Sequence, residues 1–212
     1  MNASCRTLFS EFLPAILACM VDLENVDVSD ERVAVGNGVS VPASWTVVLR
    51  GEPDVPGEIR VRAAYDVALG RIVATEVSVA RSGQGDEVTS LTLREVRVQT
   101  ALQVSGLKVS TVEEPEHAIC SGGDYIRRMR TREGRDLTAS VVDASTTYRL
   151  AAAINLPPLR AVADGLGVSQ STATRLMNRA RLAGLAPGVD LPDPSATGPV
   201  INAPTPGGPT IG

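Results

Sequence analysis

The chain has 212 residues, of which 43% are apolar and 21% charged, a composition that supports a buried core and excludes a wholly disordered chain. No run of about 18 apolar residues occurs, so no transmembrane helix is expected. The net charge of −4 hides an asymmetry, because residues 1–126 carry 10 basic and 18 acidic side chains whereas residues 127–186 carry 10 basic and 4 acidic ones. A basic segment inside an acidic chain indicates a local anionic partner.

Residue types that carry catalysis or bind metals are sparse and scattered. Cys5, Cys19 and Cys120 form neither a disulfide framework nor a closely spaced pair, and His117 is the single histidine. No Gly-rich stretch is followed by Gly-Lys-Ser/Thr, so no phosphate loop is expected. Aromatic residues make up only 3%, which disfavours stacked rings for single-stranded nucleic acid. We therefore predict a non-enzymatic cytoplasmic protein without metal or cofactor.

The first 43 residues predict one helix and then a turn-rich segment. Apolar side chains recur at three- and four-residue spacing, which predicts an amphipathic helix over residues 4–20. A signal peptide is the less favoured alternative, because Glu11 and Pro14 interrupt the apolar part. Residues 21–43 are acidic and rich in turn formers, with a turn expected at 33–38.

Three segments with alternating apolar residues predict β-strands, at 45–50, 59–65 and 73–79. A short loop that ends at Gly70 joins the last two, which predicts an antiparallel hairpin. Such a sheet is expected to bury one face and expose the other.

The middle of the chain gives weaker signals. Residues 87–105 predict one or two short helices, and residues 106–124 an irregular connection. The arginine-rich stretch 127–135 is interpreted as a flexible arm that adds a phosphate contact. The alternative is a solvated loop balanced by nearby acids. A helix is predicted over 137–155. Its buried positions are expected to be Val141, Tyr148, Ala152 and Ile154.

Residues 159–178 carry the one pattern with a recognisable mechanism. Pro158 suits the first position of a helix, Gly167 suits a left-handed turn, and Ser169 suits the N-cap of a second helix. The inward-facing positions are predicted to be Leu159, Val162, Ala163, Leu166, Ala173, Leu176, Met177 and Ala180.

The opposite face of the second helix is polar and basic, and no acidic residue occurs between Asp164 and Asp190. Its side chains are the types that hydrogen-bond base edges in the major groove. The predicted base-contacting residues are Gln170, Ser171, Thr174, Arg175 and Asn178. The predicted phosphate-contacting residues are Ser169, Arg179, Arg181, Arg160 and Arg149.

This pattern resembles the helix-turn-helix of bacterial and phage DNA-binding proteins. The segments Ala161-Val162-Ala163, Gly167-Val168-Ser169, Ser171-Thr172-Ala173, Arg179-Ala180-Arg181 and Gly184-Leu185 carry the resemblance. With the hairpin at 58–81, they are similar to uncharacterised proteins of actinobacteria and their phages, which join an amino-terminal β-containing domain to a carboxy-terminal helix-turn-helix. The resemblance implies double-stranded DNA binding in transcription regulation, with a recognition helix at about 170–184.

The sequence thus predicts an α+β chain in four parts. An α+β domain over 1–124 serves dimerisation or partner binding, an Arg-rich linker spans 125–136, an all-α three-helix unit spans 137–186, and a disordered Pro/Gly-rich tail spans 187–212. A homodimer is expected, because one such unit reads only a few base pairs. The alternative is a protein adaptor whose helical hairpin docks a partner. An accessory enzyme on DNA ranks last, because no carboxylate cluster for two-metal chemistry is visible.

Overall fold

The computed structural model describes residues 22–52, 55–81, 83–84, 86–114 and 117–186. The helix expected over 4–20 and the tail over 187–212 lie outside these residues. The described part is an α+β architecture in which antiparallel sheets precede a region of packed helices, so the predicted fold class is confirmed.

The strands form two four-stranded antiparallel sheets. They are β1 (Asp22–Val26), β2 (Arg32–Gly36), β3 (Val39–Pro42), β4 (Ser44–Arg50), β5 (Glu58–Asp66), β6 (Arg71–Ala80), β7 (Thr111–Glu114) and β8 (His117–Ser121). One sheet has the order β1-β4-β5-β6 and the other the order β2-β3-β7-β8. The three predicted strands are β4, β5 and β6, and the predicted hairpin joins β5 to β6.

The second sheet corrects the expectation of an irregular connection over 106–124. That segment contains β7 and β8. Val39 of β3 pairs with Val112 of β7. Four- and five-residue strands give little local periodicity, and this pairing joins distant parts of the chain. The turn expected at 33–38 is present, with Asn37 and its two neighbouring glycines at positive φ.

The helices are α1 (Ser90–Glu95), α2 (Val98–Val109), α3 (Gly122–Thr131), α4 (Leu137–Ala153), α5 (Pro158–Leu166) and α6 (Gln170–Leu182). The first two confirm the short helices expected within 87–105. The prediction of a flexible arm over 127–135 was wrong, because most of this arginine-rich stretch belongs to α3. Ser121 caps α3 by accepting a hydrogen bond from the backbone N–H of Asp124, and four residues of the helix are buried.

Two apolar clusters form the core, and α4 contributes to both. The sheets, α2 and α3 bury Trp45, Ile59 and Ile72 together with Leu150 of α4 and Ile154 just after it. The second cluster joins the other end of α4 to α5 and α6. Of the positions predicted to be buried in the helix over 137–155, Val141 and Ile154 are buried, whereas Tyr148 and Ala152 are half-buried.

Candidate nucleic-acid interface

The turn between α5 and α6 has the geometry that its sequence predicts. Pro158 opens α5, and Gly167 ends it in the left-handed conformation at φ 67° and ψ 32°. The backbone N–H of Val168 then donates to the carbonyl of Ala163 at 3.0 Å. Ser169 Oγ accepts from the N–H of Thr172 at 3.2 Å and caps α6. These local bonds fix the direction in which α6 leaves the turn.

The inner face of α6 packs against both preceding helices. Ala173, Met177 and Ala180 are fully buried, and Leu176 is 6% exposed. They belong to one cluster with residues of α4 and α5, namely Val141, Ala144, Val162, Ala163 and Leu166. Small alanines at the crossing let the helix axes approach closely. All four inward positions predicted for α6 are confirmed.

The outer face of α6 is exposed, polar and basic. The helix has 13 residues and is therefore about 20 Å long. It contains three arginines and no acidic residue. All five predicted base-contacting residues, and Arg179 with them, are exposed: Gln170, Ser171, Thr174, Arg175 and Asn178. The structure therefore brings this predicted set together on one helix face.

Side-chain contacts separate the residues of this face into engaged and available groups. Thr174 Oγ1 donates to the carbonyl of Gln170 at 3.0 Å, and Arg181 Nη1 donates to Asn178 Oδ1 at 2.9 Å. Within the described part of the chain, no carboxylate forms an ion pair with Arg175 or Arg179. These two guanidinium groups are exposed charges that α6 offers to a ligand, and the half-buried Arg181 is a third.

Two of the predicted phosphate contacts lie elsewhere. Arg149, on α4, donates to the carbonyl of Val35 at 3.1 Å and to that of Leu185 at 3.5 Å. Its guanidinium therefore braces β2 and the segment after α6 instead of joining the outer face of α6. Arg160, on α5, is half-buried and forms an ion pair with Asp164 at 3.8 Å. The role of Arg149 could not be predicted, because its partners are backbone carbonyls distant in sequence. The pair between Arg160 and Asp164 has the four-residue spacing of a helical ion pair, which the sequence does show.

The arginines around α3 are held by two carboxylates. Arg128 and Arg132 contact Glu114 on β7, and Arg132 lies 3.5 Å from Asp143 on α4. Arg135 lies 3.2 Å from the same aspartate. Burial raises the pKa of Asp143, and the two arginines oppose that shift. These charges join elements of the fold, so three of the five arginines of 127–135 are neutralised inside the molecule. Arg127 pairs with Asp124 at the surface, and Arg130 is exposed.

One backbone carbonyl ties the end of the α6 segment to the second sheet. The carbonyl of Leu185 accepts hydrogen bonds from Asn37 Nδ2 at 2.9 Å and from Ser145 Oγ at 2.6 Å. Arg149 adds a third donor at 3.5 Å. The β2–β3 turn and α4 therefore fix where the chain leaves α6.

Comparison with known proteins adds no relative from which a function can be transferred. No family model, no curated protein sequence and no solved structure matches this chain. Among the helices that the structure describes, none is long and apolar enough to cross a membrane.

Proposed function

We propose that this chain is a sequence-specific double-stranded DNA-binding protein that regulates transcription, with α6 as the recognition helix. Its resemblance to helix-turn-helix proteins of actinobacteria and their phages supports this proposal, as does the α4–α5–α6 packing. The observation that carries it is the outer face of α6, which exposes hydrogen-bonding side chains and two unpaired arginines without an acidic residue. It acts in the cytoplasm. It acts as a homodimer, because one helix-turn-helix unit reads only a few base pairs and two units read two half-sites of an operator.

Each residue of the face has a distinct role in this mechanism. Gln170, Ser171, Thr174, Arg175 and Asn178 read base edges in the major groove. Arg179 and Arg181 bind phosphates beside the groove, and Ser169 at the helix N-terminus adds a further phosphate contact. Arg160 joins them only by exchanging Asp164 for a phosphate, and Arg149 is left to its bracing role.

The internal ion pairs sharpen this proposal. Arg128, Arg132 and Arg135 all face carboxylates within the fold. They are therefore not available to a ligand, whereas Arg175 and Arg179 are, and a bound duplex meets no acidic side chain of α6.

The test is fluorescence anisotropy with mixed-sequence duplex DNA at several salt concentrations. Wild type is expected to bind, with an affinity that falls steeply as salt rises. Arg175→Ala is expected to weaken binding about tenfold, because it removes a base or phosphate contact. Arg94→Ala is the matched control, because Arg94 is an exposed helical arginine on α1.

Two results would overturn the proposal. One is the absence of binding at low salt by protein whose circular dichroism shows that it is folded. The other is an equal loss of affinity in Arg94→Ala and Arg175→Ala, since that would indicate non-specific attraction instead of a defined face.

A second candidate function, a protein adaptor, is favoured by one observation. Leu182 is 90% exposed and lies on the same helical stripe as Ser171, Arg175 and Asn178. Leu182 is the last residue of α6, and under the adaptor proposal its exposed apolar side chain contacts the partner protein. Arg175→Glu abolishes DNA binding under the first proposal, whereas Leu182→Ser leaves it intact. Under the adaptor proposal, Leu182→Ser is the damaging variant for partner binding.

A further inference from the structure

A cavity separate from the outer face of α6 lies where the second sheet meets the helical region. Its volume is about 430 Å³, within the range of roughly 300–1,000 Å³ typical of small-molecule sites. Tyr125, Val142 and Leu185 provide apolar wall, and Asn37 lines it from the β2–β3 turn. No residue of α6 lines this cavity, so it is not part of the candidate DNA interface.

The charged residues that line the cavity are mostly acidic. Glu113, Glu114 and Asp143 face it, and Arg132 is the one basic residue among the lining residues described. Arg128 and Arg135 pair with two of these carboxylates but do not line the cavity. Glu113 is exposed and forms no ion pair with any residue that the structure describes. Glu114 and Asp143 are already paired with arginines, so Glu113 is the carboxylate whose charge is left for a ligand. A carboxylate beside an apolar wall favours a cationic ligand over an anionic one.

Asp143 is the most deeply placed of these carboxylates. It is 4% exposed, and its Oδ2 accepts no hydrogen bond, although Arg135 Nε lies 3.2 Å away. Buried oxygens without a hydrogen-bond donor are uncommon, and each calls for a physical explanation. Burial also raises the pKa of this carboxyl, and the neighbouring arginines oppose the shift. Because Oδ2 is closed to solvent and faces Arg135, a ligand in the cavity acts on Asp143 through its charge and not through a direct hydrogen bond to that oxygen.

We infer that this cavity binds a small organic cation, an amine with an apolar body. The ammonium group lies toward Glu113. The apolar body packs against Tyr125, Val142 and Leu185. This orientation gives Glu113 a partner and buries the apolar part of the ligand in one arrangement.

The position of the cavity also links its occupancy to α6. Leu185 and Asn37 both line it, and Asn37 donates the hydrogen bond that holds the carbonyl of Leu185. A ligand in contact with these two residues acts on the segment that fixes the end of α6. Control of DNA affinity by the amine is thus expected, and this part of the inference rests on the proposed function.

The test uses phenethylamine as the probe, with 2-phenylethanol and 3-phenylpropanoate as neutral and anionic analogues of matched shape. Binding to the full chain is measured by isothermal titration calorimetry in the absence of DNA. The amine is expected to bind at least about fivefold more tightly than the alcohol, and the carboxylate more weakly than either. Glu113→Gln is expected to weaken amine binding about threefold, whereas Glu87→Gln, at an exposed glutamate outside the cavity, leaves it unchanged.

A second variant tests the location. Val142 is 44% exposed and lines the cavity, so the tryptophan side chain of Val142→Trp is expected to fill the cavity. The fold is expected to tolerate the larger side chain because the position is at the surface. Loss of amine binding in this variant supports the site. Unchanged binding places the amine elsewhere and overturns the inference, as does equal binding of the three probes or no amine binding by folded wild type.

DNA anisotropy with and without the amine separates this inference from the proposed function. A change in DNA affinity of about fivefold or more at saturating amine supports the coupling. If the protein binds the amine but binds no DNA, the proposed function is overturned and the amine site is still supported. DNA affinity that is unchanged by bound amine overturns the coupling alone.

Discussion

Tyr125 shows how burial sets the chemistry of a single side chain. It is 1% exposed, and burial raises the pKa of its hydroxyl above the ordinary value of 10.0. The carboxylate of Asp143 raises this pKa further, while the nearby side chains of Thr147 and Thr146 oppose the shift. The folded protein therefore keeps the Tyr125 proton at a pH at which the unfolded chain has released it.

A pH dependence of stability follows from this difference. Below about pH 9 both states keep the proton, and the contribution of Tyr125 to stability is fully present. Above pH 10 the unfolding free energy falls by about 1.4 kcal/mol per pH unit for this group. Tyr125→Phe is expected to remove that part of the slope in urea denaturation series measured from about pH 8 to about pH 11. Parallel slopes for the two proteins would contradict it.

The candidate interface was readable from its residues because its signals are local. The cap at Ser169 and the turn at Gly167 depend on near neighbours, and the helical period alone separates the buried Met177 from the exposed Arg175. The roles of Glu114 and Asp143 were not readable. Their arginine partners lie on or beside another element, so only the folded chain brings the charges together.

At the scale of elements, the turn between α5 and α6 depends on one backbone conformation. Gly167 has φ +67° with no atom within 4 Å of a Cβ built there, so alanine would cause conformational strain without a clash. Gly167→Ala is expected to lower the unfolding free energy by about 1–2 kcal/mol. The measurement is the urea midpoint at an unchanged slope.

Gly123 offers the matched control for this substitution. It lies in α3 without a positive φ, and a Cβ there would meet its nearest atom at an ordinary 3.6 Å. Gly123→Ala is therefore expected to be neutral or to stabilise by up to about 1 kcal/mol. If both alanine variants lose the same stability, the special role assigned to Gly167 is wrong.

Strands were predictable where their pairing is local. β4, β5 and β6 have at least seven residues each, and β5 and β6 form a hairpin. β1, β2, β3, β7 and β8 have four or five residues each and were missed. The second sheet depends on the pairing of β3 with β7, two strands that are distant in sequence. Local sequence patterns do not predict such a pairing, because it closes a long loop.

At the scale of the whole molecule, α4 makes the two apolar clusters depend on each other. Met177 is fully buried in the second cluster, so Met177→Ala is expected to cost about 2–5 kcal/mol. Trp45 is buried in the first cluster and reports its unfolding by fluorescence. Because α4 belongs to both clusters, we expect the Trp45 transition to shift together with the helical signal in circular dichroism.

Met129→Ala is the matched control for this prediction. Met129 is 1% exposed and lies in the first cluster, so its loss shifts the Trp45 transition directly. If Met177→Ala moves only the circular dichroism transition, the helical region unfolds independently of the sheets and the prediction fails.

The shared helix also limits how this chain can be rearranged by gene fusion. A fragment that began at residue 137 would expose Leu150, Ala151 and Ile154, each fully buried in the intact chain. Such surface promotes aggregation, so the α4–α5–α6 unit is not portable on its own. Recombination that preserves the fold must therefore keep residues 22–186 as one inherited block, and under the proposed function new DNA specificity arises by substitution on the outer face of α6.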